Sequence, residues 1–314
     1  DVALTRKTEA GLYGTATKGF KKRDMQKRKE IIEEAKPIAM ISVHQNFYPT
    51  RTSRGGQVFY KKDSESGKKL AEGIDCLVLD VKVGSGAFMK TEREARELAE
   101  LMVRIAKAHG KKVTALLTDM DCPLGNAVGN SLEVVEAVEC LQGRAPEDYT
   151  LLTTELAARM LFLAGKGSLE ECRVECEKAV ESGAAFRKFK EMVAAQGGNT
   201  AQIEDTSLFP KAKYSRIVRA ETSGYISRVD TELYGTASVL LGAGRLKKED
   251  VIDPTAGIRI LKKTGDRAEA GDGIAVLFAS DEALFEPAQR VLSKSIVYSS
   301  VPPEKRPLIL GAIE

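Results

Sequence analysis

Ser64 and Lys68 are four residues apart, a spacing that would place a hydroxyl and an ammonium on one face of a helix. Because lysine only donates hydrogen bonds while serine donates or accepts, such a pair could bind a carbonyl and imide edge. The alternative is that Lys68 and Lys69 lie near a helix carboxyl end, where lysines compensate the helix dipole. The spacing alone leaves both interpretations open.

A second candidate region is the segment 75–90, D-C-L-V-L-D-V-K-V-G-S-G-A-F-M-K. A short apolar run that ends in glycines is typical of a buried parallel strand, and ligands of α/β sheets bind beyond the carboxyl ends of such strands. Asp80 and Lys82 interrupt the run near that end. The glycines match neither the dinucleotide nor the phosphate-loop pattern. The turn is therefore either purely geometric or an anion or sugar site at the start of the next helix.

A third candidate is the loop 119–129, D-M-D-C-P-L-G-N-A-V-G, which Glu133 and Glu136 follow on a predicted helix. Such a turn-rich loop exposes backbone carbonyls, and carbonyl oxygens with one carboxylate suit a hard cation. The alternative is that both carboxylates only stabilise the amino end of the helix.

Cysteine and histidine are placed unfavourably for a metal centre. Five cysteines are scattered through apolar or helical stretches, which predicts free thiols in a reducing compartment. Cys172 and Cys176 would share a helix face, but without a second pair or nearby histidines a zinc site is disfavoured. His109 precedes Gly110, a helix stop, and is expected to compensate a helix dipole.

Composition excludes several classes of protein. The 314 residues carry a net charge of +3, which is too even a balance to indicate nucleic-acid or anionic-membrane binding. No run of about 18 apolar residues predicts a spanning helix, and no signal-peptide pattern opens the chain, so a cytoplasmic protein is expected. A basic run between Lys18 and Lys29 predicts a solvated helix face, with an anion or nucleic-acid patch as the alternative.

Strands and helices alternate from residue 64 to 166, and these elements must position the candidate residues. The pattern predicts strands at 74–83 and 113–117, separated by a helix at 92–108 that a T-x-x-E capping box begins and Gly110 ends. A helix from Asn130 or Ser131 to Gly143 and another at 153–164 follow. Such alternation favours a parallel, right-handed α/β unit.

The remaining regions have a different character. Two helices joined at Gly183 are expected within 168–197. Short strands are expected at 217–219, 224–229, 237–241, 257–262 and 274–278, followed by a helix near 281–293 and a final strand near 295–299. Residues 1–63 are irregular apart from one helix near 23–36 and a Gly55-Gly56 loop. The prediction is an α/β protein with a mixed or parallel sheet, flanking helices, the remnant of a helical domain at the amino end and a carboxyl-terminal α+β subdomain.

Long stretches of the chain closely resemble the thymidine and pyrimidine-nucleoside phosphorylases. They include K-K-L-A-E-G-I-D-C-L-V-L-D-V-K-V-G-S-G-A-F-M, T-A-L-L-T-D-M-D-C-P-L-G-N-A-V-G-N-S-L-E-V-V-E-A-V and L-G-A-G-R-L-K-K-E-D-V-I-D-P-T-A-G-I. The resemblance runs in register from about residue 64 to the end. It implies an α/β core at 64–200 and the family's carboxyl-terminal α+β domain at 201–314, after a segment 1–63 unlike the family.

The resemblance also implies an activity and a set of site residues. The family transfers the pentose of thymidine, deoxyuridine or uridine to inorganic phosphate, reversibly and without an organic cofactor, and acts as a homodimer. Its base-binding serine, lysine and phenylalanine fall on Ser64, Lys68 and Phe88. Its structural cation, a potassium ion, takes two loop carbonyls and a carboxylate that fall on Leu124, Ala127 and Glu136.

The sequence departs from the family pattern in its amino-terminal part. The phosphate motif K-H-S-T-G-G and the segment G-x-T-G-G-T-x-D-K-x-E are not found in it, and the base-contacting arginine would fall on Pro49. Arg51 and Arg54 are close to that position but out of register. Three hypotheses follow, namely an active pentosyltransferase, an inactive phosphorylase fragment or isoform that pairs with a partner, and an anion- or nucleic-acid-binding protein that uses the basic run.

Overall fold

The computed structural model of the chain describes residues 75–247 and 250–314. Several predictions concern residues outside this part. They are the helix at 23–36, the basic run Lys18 to Lys29, the Gly55-Gly56 loop and the pair Ser64 and Lys68.

The first structural unit is the predicted strand–helix–strand. Strand β1 (Cys76–Val83) and strand β2 (Lys112–Asp119) are parallel and in register from Cys76–Lys112 to Val83–Asp119, with helix α1 (Glu92–Ala108) between them. Thr91 and Glu94 form the predicted capping box, and Nδ1 of His109 donates to the carbonyl of Ile105 where the helix ends. Helix α1 buries a row of small and apolar residues that pack with Val81, Val83, Val113 and Leu117.

Strand β10 (Ile309–Ile313) adds to the other side of β2 in the antiparallel direction, so the sheet is mixed and its order is β1-β2-β10. This strand was not predicted, because the strand near 295–299 was expected to be the last. Strand β1 was expected to be buried, but only Val81 and Val83 are. The reason is that β1 is an edge strand in the sheet that the described residues form.

A run of helices connects the two regions of the molecule. Strand β3 (Ala127–Gly129) leads directly into α2 (Asn130–Leu141), and Pro146 precedes α3 (Glu147–Leu163), which begins earlier than the predicted residue 153. Proline before the first turn and the acidic pair Glu147 and Asp148 explain the earlier start. The helices α4 (Leu169–Glu181), α5 (Ala184–Ala195) and α6 (Thr200–Glu204) follow, with Gly183 at the predicted joint between α4 and α5.

The carboxyl-terminal region is the predicted α+β unit. Its elements are β4 (Tyr214–Arg219), β5 (Gly224–Val229), α7 (Thr231–Ser238), β6 (Gly257–Ile260), β7 (Arg267–Ala268), β8 (Gly273–Ala279), α8 (Phe285–Lys294) and β9 (Ile296–Ser299). They form two antiparallel sheets, β3-β6-β8-β4 and β7-β5-β9, around a core that contains Ile226, Leu277 and Leu292. Since β3 pairs with β6, a strand of the first region belongs to a sheet of the second.

One predicted strand is wrong. Residues 237–241 lie in the end of α7 and in the π-helical turn Val239–Ala243. Asp230 caps this helix through the backbone N–H of Leu233, and Tyr234, Ala237, Ser238 and Leu241 are buried at helical spacing. The window A-S-V-L-L is too short to separate a strand from a buried helix. Among the described helices, none is both long enough and apolar enough to cross a membrane.

Candidate functional site

The carboxyl ends of β1 and β2 meet at a glycine loop (residues 84–89). The N–H of Gly86 donates to the carbonyl of Met120 at 3.1 Å, and the N–H of Gly84 donates to Met89 at 3.0 Å. Gly84 has φ = 124°, and a Cβ added there would lie 2.5 Å from Asp121 Oδ1. A side chain is therefore excluded at this position, and the loop lies directly on the segment that follows β2.

The polar residues of β1 neutralise each other. Lys82 Nζ lies 2.8 Å from Asp80 Oδ2, and the hydroxyl of Thr118 on β2 donates to Asp80 Oδ1 at 2.5 Å. Both ends of the pair are only partly exposed. The sequence prediction that Asp80 and Lys82 lie at this end of the sheet is confirmed, but Lys82 already has its counter-ion.

Two aspartates after β2 share one arginine. Arg306 Nη1 lies 3.0 Å from Asp119 Oδ1 and 2.7 Å from Asp121 Oδ2. Burial raises the pKa of Asp119, and the nearby Arg306 opposes that rise. The Asp119 oxygen is buried without a well-directed hydrogen bond, so its contact with Arg306 is mainly electrostatic.

The glycine loop also contacts the carboxyl-terminal region. The N–H of Thr231, the first residue of α7, donates to Ser85 Oγ at 3.1 Å, and Ser85 Oγ lies 3.5 Å from the carbonyl of Val229. Lys90 Nζ donates to the carbonyl of Ser85 at 2.8 Å and pairs with Glu232 at 3.3 Å. The loop is thus bound on one side by the segment after β2 and on the other by the start of α7.

Phe88 is a residue of the glycine loop whose side chain is exposed and could contact a ligand. Its residue surface is 55% exposed, although it belongs to a loop whose backbone is well bound. An exposed aromatic ring at the carboxyl end of a sheet can stack on a flat, partly apolar ligand.

The predicted cation loop is built around the Glu136 carboxylate. Glu136 is 5% exposed, and its oxygens accept from the N–H groups of Asn126 at 2.6 Å and Ala127 at 3.3 Å. Burial raises its pKa, while those two hydrogen bonds lower it. The structure therefore brings Ala127 and Glu136 together, through the amide of Ala127. Glu133 instead accepts from the N–H of Gly129 and stabilises the start of α2, as the alternative interpretation predicted.

A cleft of about 360 Å³ opens beside this loop. Ala127, Glu136, Arg144 and Arg259 are among the residues that line it, and none of the glycine-loop residues is. Within the described part of the chain, no three His, Cys, Asp or Glu side chains are grouped closely enough to hold a metal ion, and all five cysteines are free.

Comparison with known proteins assigns the two regions to one group of enzymes. Residues 64–186 match the "Glycosyl transferase family, a/b domain" and residues 225–299 match the "Pyrimidine nucleoside phosphorylase C-terminal domain". The pyrimidine-nucleoside phosphorylase of Bacillus subtilis (strain 168) is 44% identical over 225 residues, which are 71% of this chain and 52% of that protein. The chain belongs to the pyrimidine-nucleoside phosphorylase family.

Other members of the family match this chain with similar identity and coverage. The pyrimidine-nucleoside phosphorylase of Geobacillus stearothermophilus is 42% identical over 247 residues, 78% of this chain and 57% of that protein. That of Staphylococcus aureus (strain USA300) is 44% identical over 214 residues, 68% of this chain and 49% of that protein. The chain spans about half the length of these curated relatives.

Some of the site residues that the family resemblance implies lie in the described part of the chain and others lie outside it. Phe88 lies on the glycine loop and Ala127 lies beside Glu136, whereas Ser64 and Lys68 are outside the described residues. Leu124 is half-buried in the same loop as Ala127. Sequence reasoning missed Asp121 and Arg306, which bind each other across the site. The sequence P-P-E-K-R-P around Arg306 indicates an irregular segment, and no local signal shows that it crosses the ends of the strands.

Proposed function

We propose that this chain takes part in the reversible phosphorolysis of pyrimidine nucleosides, as its relatives' names indicate for them, in the salvage or breakdown of nucleosides. The substrates are thymidine, deoxyuridine or uridine with inorganic phosphate, and the products are the free pyrimidine and a pentose 1-phosphate. No organic cofactor is needed for this exchange of one C1′ substituent for another.

In the proposed reaction a phosphate oxygen forms a bond to C1′ while the bond from C1′ to the base nitrogen breaks. The electron pair of that bond leaves with the pyrimidine, which takes up a proton. Because the sugar acquires oxocarbenium character, the protein's contribution is to position the two partners and stabilise charge. The described part of the chain would supply the base side, with Phe88 against the pyrimidine.

The observation that supports this proposal is the glycine loop. Its backbone is bound from two sides, and yet it presents an exposed phenylalanine at the carboxyl end of a parallel strand pair. This combination is expected of a binding surface rather than of a structural turn.

An inactive phosphorylase relative that binds a partner is the alternative. The observation that favours it is the lack of the K-H-S-T-G-G motif in the sequence. The test is to incubate the full chain with uridine or thymidine, with and without phosphate, and to measure the free pyrimidine by chromatography. Phosphate-dependent release supports the enzyme. Binding of uracil without any release at high protein concentration would support the inactive relative.

Phe88→Ala tests the base side of the proposal. Loss of an aromatic ring that stacks on a base costs about 1–3 kcal/mol, so we expect KM for uridine, or Kd for uracil, to rise about tenfold. Phe162→Ala, which removes a 37% exposed phenylalanine from α3, is the matched control and should leave both constants unchanged. Equal effects of the two substitutions would contradict a role for Phe88 in base binding.

We further propose that the loop of Leu124, Ala127 and Glu136 holds a monovalent cation, potassium. A buried carboxylate against the backbone of the loop that contains Leu124 and Ala127 supports this, since oxygen ligands suit such ions. The carboxylate now accepts two amide hydrogen bonds, so the ion would have to bind through its remaining lone pairs and the loop carbonyls.

The cation proposal predicts a specific effect on stability. Replacing choline chloride by potassium chloride at equal ionic strength should raise Tm by about 2–4 °C, because an ion that binds only the folded state stabilises it. Glu136→Gln should abolish the difference, whereas Glu175→Gln, on the exposed surface of α4, should keep it. A potassium effect that survives in the Glu136 variant would refute the site.

We propose a homodimer in the cytoplasm as the working assembly. The free thiols agree with a reducing compartment. Sedimentation velocity of the full chain at micromolar concentration tests the dimer.

A further inference from the structure

The segment between β9 and β10 crosses the carboxyl end of β2. The N–H of Asp119 donates to the carbonyl of Leu308 at 2.8 Å, which fixes the end of this segment next to the two aspartates. Arg306 lies on the same segment, and its Nη1 reaches Asp119 and Asp121 at 3.0 and 2.7 Å. Its side chain is 41% exposed, whereas that of Asp119 is 15% exposed.

Asp121 connects Arg306 to the glycine loop, because its carboxylate binds both. One carboxylate oxygen, Oδ2, accepts from Arg306 and the other, Oδ1, accepts from the backbone N–H of Ser85 at 2.7 Å. The same Oδ1 is the atom that a Cβ on Gly84 would meet at 2.5 Å. The carboxylate therefore determines the path of the chain at Gly84 and Ser85, four and three residues before Phe88.

Arg306 is the group that makes this arrangement electrostatically favourable. Asp119 and Asp121 are close enough for the charge of Asp121 to raise the pKa of Asp119, and Lys82, the other nearby cation, is already paired with Asp80. Two carboxylates held together at a partly buried site repel each other unless a cation lies between them. Without Arg306, Asp121 gains by turning toward solvent, and its hydrogen bond to Ser85 is then lost.

The loop has a second attachment that does not involve Arg306. Ser85 Oγ accepts from the N–H of Thr231, and Lys90 joins the Ser85 carbonyl to Glu232. Loss of Arg306 should therefore loosen the loop on the β2 side without detaching it from α7. The change should be local and should leave the fold intact.

We propose that Arg306 is a positioning residue that acts through Asp121 on the glycine loop and so sets the place of the Phe88 ring at the nucleoside site. The effect on nucleoside binding rests on the function proposed above, whereas the effect on the loop does not. Arg306 itself need not touch the substrate.

The test uses a single tryptophan, because the natural chain has none. Phe88→Trp places the fluorophore at the tip of the loop, and the full chain is compared with and without Arg306→Gln in that background. We expect Arg306→Gln to lower the tryptophan anisotropy and to increase its quenching by acrylamide, while the far-ultraviolet circular dichroism stays the same. Arg306→Lys should restore most of the anisotropy, since an ammonium can also lie between the two carboxylates.

The matched control is Arg267→Gln, which removes an exposed arginine on β7 that pairs with Glu269 at 3.1 Å. It should change neither fluorescence property. In the chain with Phe88 retained, Arg306→Gln should weaken uracil binding, or raise KM for uridine, about tenfold, as expected when a contact group is displaced.

The outcomes separate the two proposals. Unchanged anisotropy in the Arg306→Gln variant, or an equal change in the Arg267 control, would overturn the role of Arg306. A change in anisotropy that Arg306→Lys reverses, in a chain that binds no pyrimidine, would support the loop contact and refute the proposed function. If Arg306→Gln fails to fold, Asp121→Ala replaces it, since this substitution removes both the partner of Arg306 and the acceptor of the Ser85 N–H. Full retention of the anisotropy in Asp121→Ala would then contradict the proposal.

Discussion

Glu155 is a buried carboxylate that binds two arginines on different helices. It lies on α3 at 7% exposure and accepts from Arg159 Nε at 2.8 Å and from Arg173 Nε on α4 at 2.8 Å. Arg159 Nη1 also reaches Glu314, just after β10, at 3.1 Å. Burial raises the pKa of Glu155, but the hydrogen bonds from both arginines outweigh it and lower the pKa below its ordinary value.

Glu155→Gln should destabilise the protein through these arginines. At pH 7 we expect the free energy of unfolding to fall by about 3 kcal/mol, because Arg159 keeps its burial and loses its main counter-ion. Since the folded pKa is lowered, this stabilisation is present above the ordinary value of 4.5 and is lost as the pH falls below it. Urea unfolding of both proteins between pH 3 and 7 should therefore give curves that converge at the acid end.

The control for this prediction is Glu175→Gln, on the same helix as Arg173. Glu175 pairs with Lys178 on an exposed surface, so its removal should change the stability by no more than about 0.5 kcal/mol. A constant difference between wild type and Glu155→Gln at every pH would argue against the ionised carboxylate as the source of the effect.

Single residues were predictable from the sequence where their partners are near in the chain, as for His109 at its helix end. The roles of Phe88 and Glu136 stay predictions, which come from the family pattern and, for Glu136, also from the loop before it. Arg306, Asp121 and Ser85 act through partners up to 185 residues away, as in the contact between Arg306 and Asp121. Nothing in the spacing of residues along the chain reports such contacts.

At the level of elements, α1 illustrates a helix whose start is decided locally. Thr91 accepts from the N–H of Glu94 at 3.3 Å, and the Glu94 carboxylate accepts from the N–H of Thr91 at 3.1 Å. These contacts satisfy two backbone donors that would otherwise be left unpaired at the helix end.

Thr91→Ala should cost about 1 kcal/mol of stability, since it removes one of these acceptors. Thr91→Ser retains the hydroxyl and should behave like wild type within about 0.3 kcal/mol. Thermal unfolding followed by circular dichroism measures both. An equal loss in the two variants would mean that the methyl group, and not the cap, is responsible.

The elements that were predicted well are those with local signals. The bounds of α1 and β5 were predicted as observed, because a capping box, a terminal glycine and flanking turns mark them. Strands β3, β7 and β10 were missed, since no turn signal or apolar pattern marked them and they form by pairing with strands distant in sequence. The prediction of a strand at 237–241 was wrong for a related reason. The buried residues show helical spacing only when the preceding residues Asp230 and Tyr234 are included.

At the scale of the whole molecule, two hydrophobic cores are joined by backbone pairing. Leu117 belongs to the core between α1 and the first sheet, and Leu277 belongs to the carboxyl-terminal core. Strand β3 pairs with β6, and Lys263 Nζ lies 2.6 Å from Asp148 Oδ2 at the start of α3. Contacts of this kind should make the two cores unfold together.

Calorimetry of Leu117→Ala and Leu277→Ala tests this coupling. Both residues are fully buried, and each substitution should cost about 3 kcal/mol through lost burial and a cavity. If the cores are coupled, each variant lowers the Tm of one and the same transition. Two separate transitions, of which each variant moves only one, would show that the cores are independent.

The pairing of β10 with β2 also has a consequence for the chain as it leaves the ribosome. Strand β2 is synthesised well before its partner for residues 115–118, which is the strand Ile309–Ile313. Until that strand emerges, one side of β2 presents unpaired backbone groups beside apolar side chains, a surface on which nascent chains aggregate. Cells that synthesise this protein would need to shield that edge until β10 emerges, which makes β2 the expected contact of a ribosome-associated chaperone.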